Sequence, residues 1–201
     1  MKVIPRDGGF EEDCLIVETL AYDVLSRAQG AVFAPRARKV AEYQEGQNVF
    51  LLLFLDQAVG TLKDKIAGLV SPEEVLRDAA AIACTLNALH ANGLVHQDIK
   101  PANVLMHPGG WPLLADLGST PFLGEWQPRR RPLTQGVNVP SVACSEKYAS
   151  PEVRIYRKHV SVQSDIFSWA LLVLEMFKVF LPVRPDGVAE YKWWKESVLD
   201  R

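Results

Sequence analysis

The sequence predicts an α+β fold in two unequal parts. Strand-like runs come first, at Met1–Pro5, Arg38–Tyr43 and Val49–Leu55, around one helical segment. Beyond a connector at Gln57–Gly60, the apolar residues fall mostly at helical spacing, with one short hairpin among them. Strands gathered in one part and helices in the other mark α+β architecture rather than alternating βαβ units. The boundary is expected near Leu55–Gly60, dividing the chain into residues 1–57 and 58–201, with a ligand cleft between the parts.

Met1–Pro5 is apolar apart from Lys2 and reads as a strand fragment. Glu11–Arg27 carries Leu15, Ile16, Leu20, Val24 and Leu25 at helical period, and Gly30 ends it. Glu45-Gly46-Gln47-Asn48 reads as a turn between two strands. Val49–Leu55 is a continuous apolar run, the pattern of a buried strand.

Ser71-Pro72-Glu73-Glu74 is a strong helix start: serine caps, proline suits the first turn, and Glu74 completes a capping box. Val75, Leu76, Ala79, Ile82, Ala83, Leu86 and Leu89 then line one face, and Asn92-Gly93 stops the helix. Val104–Met106 and Pro112–Ala115 flank His107-Pro108-Gly109-Gly110, which predicts a hairpin. Pro121–Tyr148 is a long, proline-rich polar stretch of the kind that is usually functional. Gln163–Lys178 is helical and apolar nearly all round, so burial is expected. The apolar stretch Ile166–Val183 contains Glu175 and Lys178 and is expected to be a core helix, with no membrane span.

Composition excludes several classes. The net charge of −2 gives no reason to expect a nucleic-acid partner. Cys14, Cys84 and Cys144 are odd in number and far apart, which indicates neither a disulfide framework nor a cysteine-based zinc site. Residues 1–20 show no basic start followed by an apolar run, so no signal peptide is visible. No compartment is indicated.

The chemistry concentrates in His96-Gln97-Asp98-Ile99-Lys100-Pro101-Ala102-Asn103, which packs an acid, a cation and an amide into one short segment. Asp116-Leu117-Gly118 and Ser150-Pro151-Glu152 follow in order. Singly, each of these residues has an ordinary structural reading as a turn acid or a solvated charge. The ordered set resembles the catalytic loop, metal-binding loop and activation-segment end of the eukaryotic-type protein kinases. The resemblance implies a kinase-like fold. Its N-terminal lobe is reduced to a partial antiparallel sheet and one helix, and its C-terminal lobe is mainly helical and incomplete.

The resemblance also implies Mg2+ and ATP as cofactors, and a protein substrate. Asp98 matches the acid that accepts or orients the substrate hydroxyl, and Lys100 the cation that steadies the γ-phosphate. Asn103 and Asp116 match the magnesium ligands, both hard oxygen donors. Gly118 is expected to let the backbone turn beside the metal. Ser145, Tyr148, Ser150, Pro151 and Glu152 resemble the segment that shapes the substrate site. In the serine/threonine enzymes the residue at Ser145 links the catalytic acid to the lysine. Asp165 resembles the buried acid that holds the catalytic loop, and it is equally a helix N-terminal acid.

Met1-Lys2-Val3-Ile4 resembles the strand carrying the ATP-binding lysine. Glu18, in the predicted helix, is the expected partner of Lys2, with Glu11 and Glu12 as rivals. Phe54 resembles the residue behind the adenine pocket, and Leu55–Gln57 the hinge whose backbone binds adenine, which brings in Leu55 and Gln57.

The chain also departs from the family pattern. Gln97 stands where an arginine usually precedes the catalytic acid, so activation by phosphorylation of Thr134, Ser141 or Ser145 is not expected. Leu117 replaces the commoner phenylalanine. No glycine-rich loop precedes Lys2, and the later helices of the family's C-terminal lobe have no counterpart. Glu152 is expected to lack its usual arginine partner, leaving a costly buried acid. Trp193 and Trp194 are expected to lie uncovered. Arg129-Arg130-Arg131 reads as a solvated run that can also attract acidic partners. The divergent loop and hinge are loosely similar to the rhoptry kinases of coccidian parasites. The alternative to an active kinase is a kinase-like scaffold that binds a protein partner.

Overall fold

A computed structural model describes residues 1–6, 10–28, 33–120, 145–156 and 161–178. The readings placed on Gly8, Gly9, Gly30, Arg129–Arg131, Thr134, Ser141, Cys144 and Tyr191–Leu199 lie outside the described residues, as do the side chains of Glu11 and Glu12.

The first sheet is antiparallel, with β3 (Asn48–Leu55) between β1 (Lys2–Pro5) and β2 (Ala37–Glu45). β2 and β3 form a hairpin in which Glu45 faces Asn48 across Gly46-Gln47. Gly46 takes φ 62, a conformation that glycine adopts without steric cost. Helix α1 (Phe10–Arg27) covers one face of the sheet. It buries Leu15, Ala21, Tyr22 and Leu25 in one cluster with Ile4 and Leu53. β3 is not buried on both faces as its apolar run suggested. Only Leu53 is fully buried, with Leu51 and Leu55 packed beside it. The alternate residues Phe50, Leu52 and Phe54 project to the other face and are only partly buried.

The second sheet is β4 (Gly60–Thr61), β5 (Val104–Met106) and β6 (Pro112–Leu114), with the predicted hairpin between β5 and β6. Thr61 opens α2 (Leu62–Ala67) through a reciprocal capping box with Asp64, a signal the sequence carries at Thr61-Leu62-Lys63-Asp64. Helix α3 (Pro72–Ala91) starts as expected, with the Ser71–Glu74 capping box formed. Its buried stripe runs through Val75, Ala79, Ile82, Leu86 and Leu89. Leu76 falls off that stripe and is 60 % exposed, because it stands a further 100° or so round the helix from Val75.

Helices α4 (Pro151–Tyr156) and α5 (Val162–Met176) complete the described elements. α5 is not buried all round. Among the described residues its buried positions are Ser164, Asp165, Ser168, Leu172 and Met176, one stripe facing α3 and the loop after it, while Ile166 stays 47 % exposed. The Trp169 indole N–H donates to the Ala79 carbonyl at 3.1 Å and ties α5 to α3. No described helix is long and apolar enough to cross a membrane.

α2 and α3 are pinned by charge. The Asp78 carboxylate is fully buried and accepts from Lys65 Nζ at 2.6 Å and from Arg77 at 3.1 Å. Lys65→Met leaves that buried carboxylate with Arg77 alone. The expected loss is about 1–3 kcal/mol, seen as a melting temperature lower by roughly 3–10 °C. An unchanged melting curve would show that Arg77 suffices.

Candidate active site

The loop after α3 holds a strained turn. Gln97 sits at φ 71, which is uncommon for a residue with a Cβ and persists only when its surroundings over-determine it. Asp165, in the first turn of α5, supplies that determination. Its carboxylate accepts from the backbone N–H of His96 at 2.8 Å and of Gln97 at 2.9 Å. His90 Nε2 lies 2.8 Å from the same group. The fully buried His96 ring locks the turn from inside. Its Nε2 is 2.9 Å from the Ala115 carbonyl, and its Nδ1 accepts from the Asp98 N–H at 3.3 Å. A carbonyl only accepts and an N–H only donates, so this ring is neutral with its proton on Nε2.

The locked turn presents Asp98, which is only 7 % exposed. Its carboxylate accepts from Lys100 Nζ at 2.5 Å, Asn103 Nδ2 at 2.9 Å and the Ser145 N–H at 2.9 Å. Lys100 Nζ also donates to Ser145 Oγ at 2.9 Å, so Ser145 joins acid and lysine in the manner expected of it. Burial pushes the Asp98 carboxyl up, but the Lys100 ammonium and the Ser145 N–H outweigh it and hold the group below the usual aspartate range. The carboxylate is therefore ionised at neutral pH. A carboxyl whose folded pKa lies below its unfolded value stabilises the fold above the unfolded value. That contribution is lost as pH falls through the folded one.

The second sheet brings Asn103 and Asp116 together. Asn103 precedes β5 and Asp116 follows β6, and the pairing of Val104 with Leu114 continues as Ala115 N–H donating to Asn103 O at 2.8 Å. Asn103 is buried, with its amide nitrogen used up on Asp98, while Asp116 is exposed. It is Asp116, at φ 65, that takes the left-handed conformation here. Gly118 lies in the short turn Leu117–Ser119 without a left-handed φ, and a Cβ there would meet Cys14 of α1 at 3.4 Å, an ordinary contact distance. Among the described residues no three His, Cys, Asp or Glu side chains cluster to hold a metal alone. Asn103 and Asp116 offer one amide and one carboxylate oxygen. That donor set suits magnesium, which keeps waters and takes phosphate oxygens for its remaining positions.

Lys2 reaches this corner from β1. Its Nζ donates to Glu18 Oε2 at 2.7 Å and to Asp116 Oδ1 at 3.1 Å. Burial pulls the ammonium down, but the two carboxylates prevail and hold it above the usual lysine range. The Lys2–Glu18 pairing thus forms. The further contact to Asp116 was not legible, because it joins residues 114 positions apart. Tyr22 was missed altogether. Its ring is buried, and its hydroxyl donates to Glu18 Oε1 at 3.3 Å and accepts the Asp116 N–H at 3.3 Å. The available signal was its place one helical turn after Glu18.

The predicted adenine end lies at the close of β3. Lys2 pairs with Leu53 across the ladder, and directly opposed residues share a face. Leu53 therefore stands beside Lys2, while Phe54 projects to the other side. Leu55 ends the strand opposite Ala37, and Gln57 is exposed in the connector.

At the activation-segment end, Tyr148 donates to Glu175 at 2.5 Å, and its carbonyl accepts from Ser168 Oγ at 2.8 Å. Glu152 is only partly buried, in the first turn of α4, where the helix dipole favours a carboxylate. The costly buried acid expected there is not formed.

A family model described as "Protein kinase domain" matches residues 37–196. A "Protein kinase and PP2C-like domain-containing protein" of Arabidopsis thaliana is 29 % identical over 157 residues, 73 % of this chain and 23 % of its own length. "Serine/threonine-protein kinase mos" of Xenopus laevis is 32 % identical over 130 residues, 63 % of this chain and 36 % of its own length. "Dual specificity mitogen-activated protein kinase kinase dSOR1" of Drosophila melanogaster is 31 % identical over 155 residues, 74 % of this chain and 35 % of its own length. The chain thus spans between 23 % and 36 % of the length of these three relatives. None of the three is a rhoptry-type kinase, and that narrower likeness is not carried further.

Proposed function

The chain belongs to the protein kinase family, with that family's small antiparallel sheet and helices, and on this premise we propose that it transfers the γ-phosphate of ATP to serine or threonine hydroxyls of a protein. One observation carries the reading: a buried, ionised Asp98 bonded at once to Lys100 and to the Ser145 backbone.

In this reading Asp98 accepts or orients the hydroxyl proton of the attacking residue as its oxygen bonds to phosphorus. Lys100, already beside Asp98, places positive charge where the γ-phosphate oxygens gather it. Asn103 and Asp116 would hold magnesium, which neutralises phosphate charge when bound. Lys2, steadied by the buried Glu18, turns toward the α- and β-phosphates. Leu55 and Gln57 are assigned to adenine by their backbone, and Phe54 to the same end of the site. Leu53 forms the wall beside Lys2. The division at residues 57 and 58 belongs to the same proposal, and the two sheets fall on either side of it.

The test is Mg2+-dependent ATP binding by calorimetry together with phosphorylation of a generic protein substrate. Wild type is expected to bind and transfer. Asp116→Ala is expected to lose the magnesium dependence and at least about a hundredfold of the rate, as for other removals of transition-state electrostatics. Binding without transfer, or no binding at all, would overturn the kinase reading in favour of the scaffold.

A further inference from the structure

A closed ring of contacts surrounds the proposed nucleotide corner from behind, and Tyr22 is the member with no assigned task. From Asp116 N–H the ring runs to Tyr22 Oη, and from the Tyr22 hydroxyl to Glu18 Oε1. It returns from Glu18 Oε2 through Lys2 Nζ to Asp116 Oδ1. Three segments far apart in sequence meet in it: β1, α1 and the turn after β6.

We propose that Tyr22 is a positioning residue for the metal loop, its hydroxyl setting the backbone at Asp116 and thereby the direction of the Asp116 carboxylate. The inference rests on the kinase reading above.

Three physical facts support it. A phenol has one proton to give and lone pairs to accept with. Glu18 can only accept and the Asp116 N–H can only donate, so one hydroxyl satisfies both in a single arrangement. A phenol keeps its proton at neutral pH, so this arrangement needs no change of charge. The backbone it grips is one that needs gripping. Asp116 is a left-handed residue with a Cβ, held open to solvent at the end of a strand.

The ring also explains a choice of residue. A phenylalanine at position 22 would fill the same core space among Leu15 and Leu25. The hydroxyl adds nothing to that packing. Its two contacts are long at 3.3 Å, as catalytic hydrogen bonds often are before substrate draws the parts together. The carboxylate it orients is the one also held by Lys2. When phosphates draw Lys2 away, the Tyr22 hydroxyl still joins the Asp116 backbone to helix α1.

Tyr22→Phe keeps the ring and removes only the hydroxyl. The experiment measures binding of ATP across a magnesium titration, and binding of adenosine, which carries no phosphate and needs no metal. In the variant the magnesium half-saturation point is expected to rise about tenfold, the cost typical of removing an outer partner of a metal ligand. Adenosine affinity should stay within about twofold, since Tyr22 is remote from the adenine end. Hydrogen exchange at the Asp116 amide should quicken in the protein without nucleotide. An unchanged magnesium requirement, or an equal loss for ATP and adenosine, would overturn the positioning role. Absence of magnesium-dependent ATP binding in the wild type would instead overturn the kinase reading itself.

Discussion

Replacing Asp165 by alanine is expected to lower the melting temperature by about 10 °C or more and to abolish phosphotransfer, although Asp165 touches none of the reacting groups. The carboxylate accepts two backbone N–H bonds, at His96 and Gln97, and lies 2.8 Å from His90. His96 is fully buried, so its freed N–H has no water to turn to. Each orphaned buried donor costs roughly 1–3 kcal/mol, and the left-handed Gln97 loses the contact that holds it. The sum, about 3–5 kcal/mol, is a large part of the 5–15 kcal/mol by which domains are stable. Asp165→Asn keeps one acceptor oxygen and should fall between wild type and alanine. A thermal melt of the alanine variant within a few degrees of wild type would disprove the clamp.

The second large effect is chiefly on the rate. Asp98→Asn is expected to reduce kcat by about 10²–10⁴, the usual contribution of a general base. Affinity for ATP should change far less than kcat, because Asp98→Asn keeps an oxygen that can still accept from Lys100 and Asn103. The pH profile provides a further check. Asp98 is held below the usual aspartate range, so the acid limb of the wild-type rate should not come from this group at pH 5–8. Steady-state kinetics across that range, with ATP binding measured separately, decides the matter. A variant that loses ATP affinity and keeps kcat would remove Asp98 from the base role.

The sequence and the structure agree where information is local. The Ser71–Glu74 cap, the turn at Gly46 and the hairpin around His107–Gly110 depend on residues only a few positions apart, so their chemistry is written in adjacent letters. The cluster of Asp98, Lys100 and Asn103 was legible for the same reason, since the three occupy one loop. Burial was read less well. Leu76 and Ile166 are apolar yet exposed, because which helix face is covered depends on what packs against it. The left-handed residue of this turn is Asp116 and not Gly118, and its partners Lys2 and Tyr22 are remote in sequence.

By itself, the amino-acid order determined the α+β class, the protein kinase family and the one loop that carries Asp98, Lys100 and Asn103. Periodicity, caps and a contiguous motif are properties of short stretches. Only the tertiary structure decided that Lys2 bridges Glu18 and Asp116, that Leu53 rather than Phe54 stands beside Lys2, and that Tyr22 closes the ring behind the metal loop. Each of these depends on strand register or on a helix brought against a distant turn. Hydrogen bonds act over about 3 Å, and no spacing along the chain encodes that approach.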